Sequence, residues 1–132
     1  MVVYYGPDGK FVNNPSTEFL KDVLNQDSAY WKQGGGDSSL FIEGETYRLI
    51  FFKDEEHGFF IMRHPDYIAP FNPNVDVYTV HHDIGGEPMA TPSSSYIGYE
   101  AAEKLVLEFA TKGRNDNVQE WKDIYEIIEF DS

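Results

Sequence analysis

The sequence predicts an α+β fold, a mainly antiparallel β-sheet with two helices packed on one face. Short runs rich in β-branched and aromatic residues follow one another across tight turns, a pattern typical of antiparallel strands. Two other segments repeat apolar residues at helical spacing. The chain has 132 residues with 10 Phe, 9 Tyr and 2 Trp, enough apolar material for one core. We therefore expect residues 1–132 to form a single domain.

The chain begins with a predicted strand pair and a helix. Residues 2–5 (VVYY) and 10–12 (KFV) flank the turn sequence GPDG, which indicates two short strands. A helix is expected from Asn14, with Asn14 as its cap and Pro15 in the first helical position. One face of this helix is apolar, formed by Phe19, Leu20, Val23 and Leu24.

The middle of the chain is expected to consist of strands. The Gly-rich run 33–39 (QGGGDSS) is predicted to be a flexible loop, and 65–74, with three prolines, a loop or irregular edge. Glycines, prolines and serines between 85 and 95 are expected to break the chain. The predicted strands lie at 39–43, 46–53, 58–64 and 75–82.

A second helix and a closing segment are predicted near the C-terminus. The helix runs from Gly98 to Lys112, with Ser94 or Ser95 capping its start. Gly113 suits the left-handed position just past a helix end. The segment 118–130 fits a helix through its apolar spacing and alternates less cleanly as a strand. We expect a closing strand there.

Charge is the strongest compositional signal. The net charge is −13, from 23 acidic and 10 basic residues, so phosphate backbones and anionic lipid should repel the chain. We expect no direct nucleic-acid partner and no membrane partner. Acidity serves solubility, or it attracts a basic protein. Cysteine is absent, and the N-terminus lacks a basic segment followed by an apolar run, which favours a cytoplasmic location.

Catalytic and cofactor patterns are missing from the sequence. Two His four residues apart with a nearby Glu, the usual zinc-enzyme arrangement, do not occur. His81 and His82 are adjacent, and neighbours on a strand point to opposite faces. We therefore predict no metal site, no cofactor and no enzyme activity. One alternative stays open, a small ligand-binding or metal-dependent α+β enzyme that uses His81, His82 and Asp83 around a pocket. Another is a general adaptor or oligomerisation module.

The run SSSYIGYEAAEKLVLEFATKGRNDNVQEW, residues 93–121, resembles the closing segment of a bacterial immunity-protein family. This is the first-numbered family among the immunity proteins of polymorphic toxin systems. Its members end with a short apolar lead-in, an Ala-rich and aliphatic helix, a Phe before a Thr-x-Gly turn, and a later Trp. The matching positions here are Ile97, Ala101, Ala102, Leu105, Phe109, Thr111, Gly113 and Trp121.

The resemblance implies a single immunity-protein-like domain that is not an enzyme. Such a protein binds a cognate toxin domain, here one that targets nucleic acid as a deaminase or nuclease, and covers its active site or substrate groove. The free protein is expected to be a monomer. Phe109, Gly113 and Trp121 would be structural core. The acidic loop residues expected to contact the partner are Asp54, Glu55, Glu56, Asp66, Asp83 and Glu87.

Overall fold

The computed structural model describes the backbone of residues 1–84 and 87–131, and the side chains of 1–83 and 88–127. The predicted α+β class is confirmed. The described residues form four helices rather than two: α1 (Thr17–Leu24), α2 (Ser28–Lys32), α3 (Tyr99–Lys112) and α4 (Ile124–Asp131). The strands are β1 (Val2–Tyr5), β2 (Phe11–Asn13), β3 (Ser38–Ile42), β4 (Arg48–Asp54), β5 (Gly58–His64), β6 (Ile68–Ala69), β7 (Thr79–Ile84), β8 (Glu87–Pro92), β9 (Tyr96–Ile97) and β10 (Lys122–Asp123).

The main sheet is antiparallel, in the order β10-β6-β5-β4-β3-β1-β2, with β9 also paired to β5. Its centre is the predicted meander of β3, β4 and β5. The β4–β5 ladder runs from Arg48 opposite His64 to Asp54 opposite Gly58. Among the residues that the structure describes, β7 and β8 pair with each other in a two-stranded sheet separate from the main one.

Different elements cover the two faces of the sheet. Phe51 and Phe52 are both fully buried, and because they are neighbours on β4 they point to opposite faces. Trp31 of α2 packs on the Phe51 side, with ring centroids 6.3 Å apart. His82 of β7 stacks on Phe52 at 3.8 Å. The sheet is thus sandwiched between a helical layer and the β7–β8 hairpin, with the core on both faces.

The first helix starts later than predicted. Ser16 is its cap, with its side-chain oxygen accepting a hydrogen bond from the Phe19 N–H at 3.0 Å. Asn14 instead has φ 51, a left-handed turn conformation, so the prediction of an Asn14 cap and of Pro15 inside the helix is wrong. The predicted apolar face is confirmed, since Leu20, Val23 and Leu24 are buried.

The helix near the C-terminus closely follows its prediction. Gly98 occupies the cap position, and Gly113 ends the helix with φ 77 and a hydrogen bond from its N–H to the Phe109 carbonyl at 2.7 Å. Ser94 and Ser95 do not cap it. They lie in a buried 3-10 turn at Ser93–Ser95, because β9 intervenes before the helix begins.

Predictions for three segments are wrong. The strand expected at 75–82 begins only at Thr79, because its ladder with β8 starts where Thr79 lies opposite Pro92. The segment 118–130 is mainly helix α4, because Asp123 Oδ1 accepts a hydrogen bond from the Tyr125 N–H at 2.9 Å and favours a helix start. Strand β8 occupies a stretch expected to break the chain. Its prolines, Pro88 and Pro92, are tolerated since the hairpin has only two strands and each has a free edge. The glycines at 85 and 86 lie outside the described residues.

The Gly-rich run 33–39, predicted to be a flexible loop, approaches distant backbone at two glycines and ends in strand β3. Gly34 and Gly36 have φ values of 47 and 75, a region that side chains rarely adopt. A Cβ atom on Gly34 would collide with the carbonyl oxygen of Pro7, and one on Gly36 with that of Asp83. The glycines therefore let this segment touch two distant parts of the backbone.

The predicted core residues near the C-terminus differ in burial. Phe109 is 2% exposed and belongs to the main core. Trp121 is half-buried and packs against the edge of that core. Within the described part of the chain, we find no helix with the length and apolar character required to cross a membrane.

Candidate functional site

A recess of about 440 Å³ lies where the helical layer, the end of β4 and the β7–β8 hairpin meet. We call it the acidic recess. Trp31 and Lys32 of α2 form one wall, and His81, His82 and Asp83 of β7 form another. The β4–β5 hairpin contributes Lys53, Asp54, Glu55 and Glu56. These three segments are distant in sequence, and only the packing of hairpin and helix on the sheet brings them together.

Four of the six predicted partner-binding residues line this recess: Asp54, Glu55, Glu56 and Asp83. Asp66 lies elsewhere, just past the opposite end of β5, where both of its carboxylate oxygens accept hydrogen bonds from the Arg63 guanidinium. The Glu87 side chain is outside the described residues. The recess also contains two cations, Lys32 and Lys53, so its carboxylates outnumber its ammonium groups by four to two.

His82 fixes one wall of the recess. Its ring lies flat on Phe52, with 2° between the two planes. Its Nε2 lies 2.7 Å from the Gly36 carbonyl oxygen, and because a carbonyl only accepts, the histidine donates. His81, in contrast, is exposed. The two neighbouring imidazoles therefore differ in burial, with His82 half-buried and His81 exposed.

The geometry of His81 and His82 does not resemble a metal site. Nε2 of His82 is already committed to the Gly36 carbonyl. Among the side chains that the structure describes, no group of three or more His, Asp or Glu is arranged to hold a metal ion.

Asp54, His57 and Tyr78 form a hydrogen-bonded series that the sequence did not reveal. Asp54 Oδ2 lies 2.6 Å from His57 Nδ1, and His57 Nε2 lies 2.6 Å from the Tyr78 hydroxyl. Burial raises the pKa of Asp54, but hydrogen bonds from His57 and from the Glu56 N–H outweigh it and lower the pKa below its usual value. Asp54 and His57 are three residues apart in one turn, whereas Tyr78 arrives from a distant loop. Only the tertiary structure joins them.

Trp31 carries an unusual polar group at the recess. The side chain is 1% exposed, and its indole N–H has no hydrogen-bond acceptor among the described residues. Its ring contacts Tyr30 and Phe51. A buried donor without a partner normally costs about 1–3 kcal/mol. The helix that positions it, α2, is capped by Asp27, which accepts from the Ala29 N–H at 3.1 Å.

Asp37, next to the close-packed glycines, should make stability depend on pH. Burial raises its pKa to about 6, against an opposing effect of Arg48. Between about pH 4 and pH 6 the folded state therefore holds more protons at this site than the unfolded state, and stability falls as pH rises. We expect Asp37→Asn to stabilise the protein by up to about 3 kcal/mol more at about pH 7.5 than at about pH 4. Urea denaturation of both proteins at the two pH values measures this, and an equal effect at both would contradict it.

Comparisons of the chain with protein-family models, with curated proteins and with solved structures find no match.

Proposed function

We propose that this protein is a bacterial immunity protein, which binds the domain of a polymorphic toxin and holds it inactive. The observation that carries the proposal is the acidic recess, where Asp54, Glu55 and Glu56 of one hairpin meet Asp83 of another. The resemblance of residues 93–121 to an immunity-protein family supports the same function. We place the proposed contact at this recess, because four of its lining residues are carboxylates.

Charge indicates the kind of partner. At a net charge of −13 the chain attracts basic surfaces over a distance of about one Debye length and repels nucleic acid. A deaminase or nuclease needs a basic groove for its nucleic-acid substrate. An acidic protein seated in that groove would exclude the substrate without any catalysis. We therefore infer a nucleic-acid-targeting toxin as the partner.

The size of the molecule is sufficient for such a complex. A standard protein–protein interface buries about 800 Å² on each partner. The accessible surface of this chain is 7459 Å², so one face around the recess provides that area. A recess of about 440 Å³ also admits a lysine or arginine side chain from the toxin. The protein would act in the cytoplasm of the producing cell, as a monomer before it binds.

Reversing charge at the recess should weaken binding. We expect Glu55→Lys with Glu56→Lys to raise the Kd for the toxin about 100-fold, since each lost contact between close opposite charges is worth about 1.4 kcal/mol or more. Both residues are exposed in the hairpin turn, so the fold should persist. Titration calorimetry at two salt concentrations measures the affinity and its ionic component.

The matched control is Glu43→Lys with Glu45→Lys. These exposed residues precede β4, at the opposite end of that strand from the recess and roughly 20 Å away. The change in net charge is identical, so a loss of affinity equal to that of the recess variant would attribute binding to net charge and remove the recess from the proposal.

Survival provides the functional test. The proposal expects a toxin domain to be encoded beside this gene. Cells that express that domain should die, and coexpression of this chain should rescue them. The recess variant should rescue poorly and the control variant well. Death despite high levels of folded chain would end the proposal.

A further inference from the structure

The series of Asp54, His57 and Tyr78 lies at the outer side of the β4–β5 turn and has a chemical capacity that binding does not require. A carboxylate, an imidazole and a hydroxyl are joined by two hydrogen bonds of 2.6 Å. The same order of groups activates hydroxyl nucleophiles in acyl-transfer enzymes on unrelated folds.

The proton positions follow from the donors and acceptors. An ionised Asp54 only accepts, so the proton on the facing side of the ring is on His57 Nδ1. In the neutral imidazole, Nε2 then carries a lone pair and accepts from the Tyr78 hydroxyl. His57 is thereby oriented as a general base toward the Tyr78 oxygen.

Backbone contacts hold both ends of the series in place. Asp54 Oδ2 also accepts from the N–H groups of Glu56 and His57, at 3.1 and 3.0 Å. The Tyr78 N–H donates to Ser93 Oγ, and the Tyr78 carbonyl accepts from the Ser93 N–H, each at 2.9 Å. Tyr78 is nevertheless 50% exposed, and its hydrogen bond to His57 lies at the surface, so we expect an incoming molecule to reach its oxygen.

We propose that Tyr78 is a nucleophile, activated by His57 and Asp54, that accepts an acyl group from a neutral or cationic ester. The Tyr78 oxygen forms a bond to the ester carbonyl carbon while its proton passes to His57 Nε2. The bond to the leaving oxygen breaks, and His57 returns the proton to that oxygen. The products are an acyl-tyrosine and an alcohol. Phosphoryl donors are disfavoured, because Glu55 and Glu56 stand beside the site.

Labelling of the wild-type protein with p-nitrophenyl acetate, a neutral ester, tests the proposal. Acetylated tyrosines are quantified by peptide mass spectrometry over time, and p-nitrophenolate release is followed by absorbance. Tyr47 is the internal control, since it is 47% exposed and carries the Arg63 cation 4.4 Å from its ring. We expect Tyr78 to be acetylated at least about 10-fold faster, within the range for general-base catalysis. Equal rates would overturn the proposal.

Two variants distinguish activation of Tyr78 by His57 from simple solvent exposure of Tyr78. His57→Gln removes the base, and Asp54→Asn keeps the shape of the carboxylate but disturbs the imidazole proton. Each should lower the Tyr78 rate to that of Tyr47 while leaving the Tyr47 rate unchanged. Rapid Tyr78 labelling in folded His57→Gln protein would refute a role for the imidazole. If His57→Gln does not fold, the Asp54→Asn variant and the ratio of Tyr78 to Tyr47 acetylation rates in the wild-type protein still test the proposal.

Discussion

Replacing Trp31 with alanine should lower the free energy of unfolding by about 3–5 kcal/mol, the range for truncating a large buried aromatic. Trp31 is 1% exposed and fills the space between α2 and Phe51 on the sheet. Its loss would leave a cavity beneath the acidic recess and also remove the anchor of a five-residue helix. Urea denaturation followed by circular dichroism measures the change.

The second tryptophan provides a matched comparison. Trp121 is only half-buried at the edge of the core, so Trp121→Ala should cost about 1–2 kcal/mol. Trp31→Phe should cost less than half as much as Trp31→Ala, because it keeps a ring and removes the N–H that has no acceptor among the described residues. If Trp121→Ala lowered the free energy of unfolding as much as Trp31→Ala or more, burial would not explain the stability of the two sites.

Gly36→Ala should destabilise the protein by about 3 kcal/mol, the sum of left-handed strain and a collision with backbone. The residue has φ 75, and its added methyl group would meet the Asp83 carbonyl oxygen. Backbone cannot move aside as a flexible side chain does. The run would have to separate from β7, and the hydrogen bond from His82 Nε2 to the Gly36 carbonyl would be disturbed.

Gly44→Ala isolates the contribution of the collision. Gly44 has φ 86, and no heavy atom outside the adjacent residues lies within 4 Å of the position its Cβ would take. It should therefore cost about 1 kcal/mol, from backbone strain alone. Thermal unfolding of both variants in one buffer gives the difference. Equal costs would mean that the run containing Gly36 is not held against β7.

The parts of the fold predicted well are those governed by local patterns. Strands β1 and β5 have the predicted bounds, because a turn follows the apolar run of β1 and turns flank that of β5 on both sides. Helix α3 also agrees to within one residue, since Gly113 takes the left-handed stop that only its residue type makes inexpensive. For these elements, neighbouring residues in the chain decide the conformation.

The errors arise where distant contacts decide. Helix α2 has only five residues, too few for a periodic signal, and Trp31 stabilises it through burial against the sheet. Strand β8 forms despite its prolines because β7 supplies a partner. The run of 33–39 has a composition typical of flexible loops, and its packing against Pro7 and Asp83 depends on backbone positions that spacing does not encode.

The candidate site was predictable only where its residues are close together in the sequence. The acidic turn containing Asp54, Glu55 and Glu56 is visible as a cluster, and Asp83 was singled out as an acidic loop residue. Their meeting in one recess was not visible, because it requires the β7–β8 hairpin to lie on the face opposite α2. Tyr78 had no signal at all, since its partner His57 is 21 residues away.

The acidic recess is formed by three segments that are distant in sequence, so binding of a molecule in it depends on folding. Its walls exist together only while the hairpin is docked on the sheet, where the His82–Gly36 hydrogen bond is one of its contacts. A molecule that binds there has no equivalent site on the unfolded chain. By mass action it stabilises the native state by about 2.7 kcal/mol when its free concentration is 100 times the Kd. The chain should therefore be least resistant to heat and proteolysis when the recess is empty, and its cellular lifetime should follow the supply of whatever binds there.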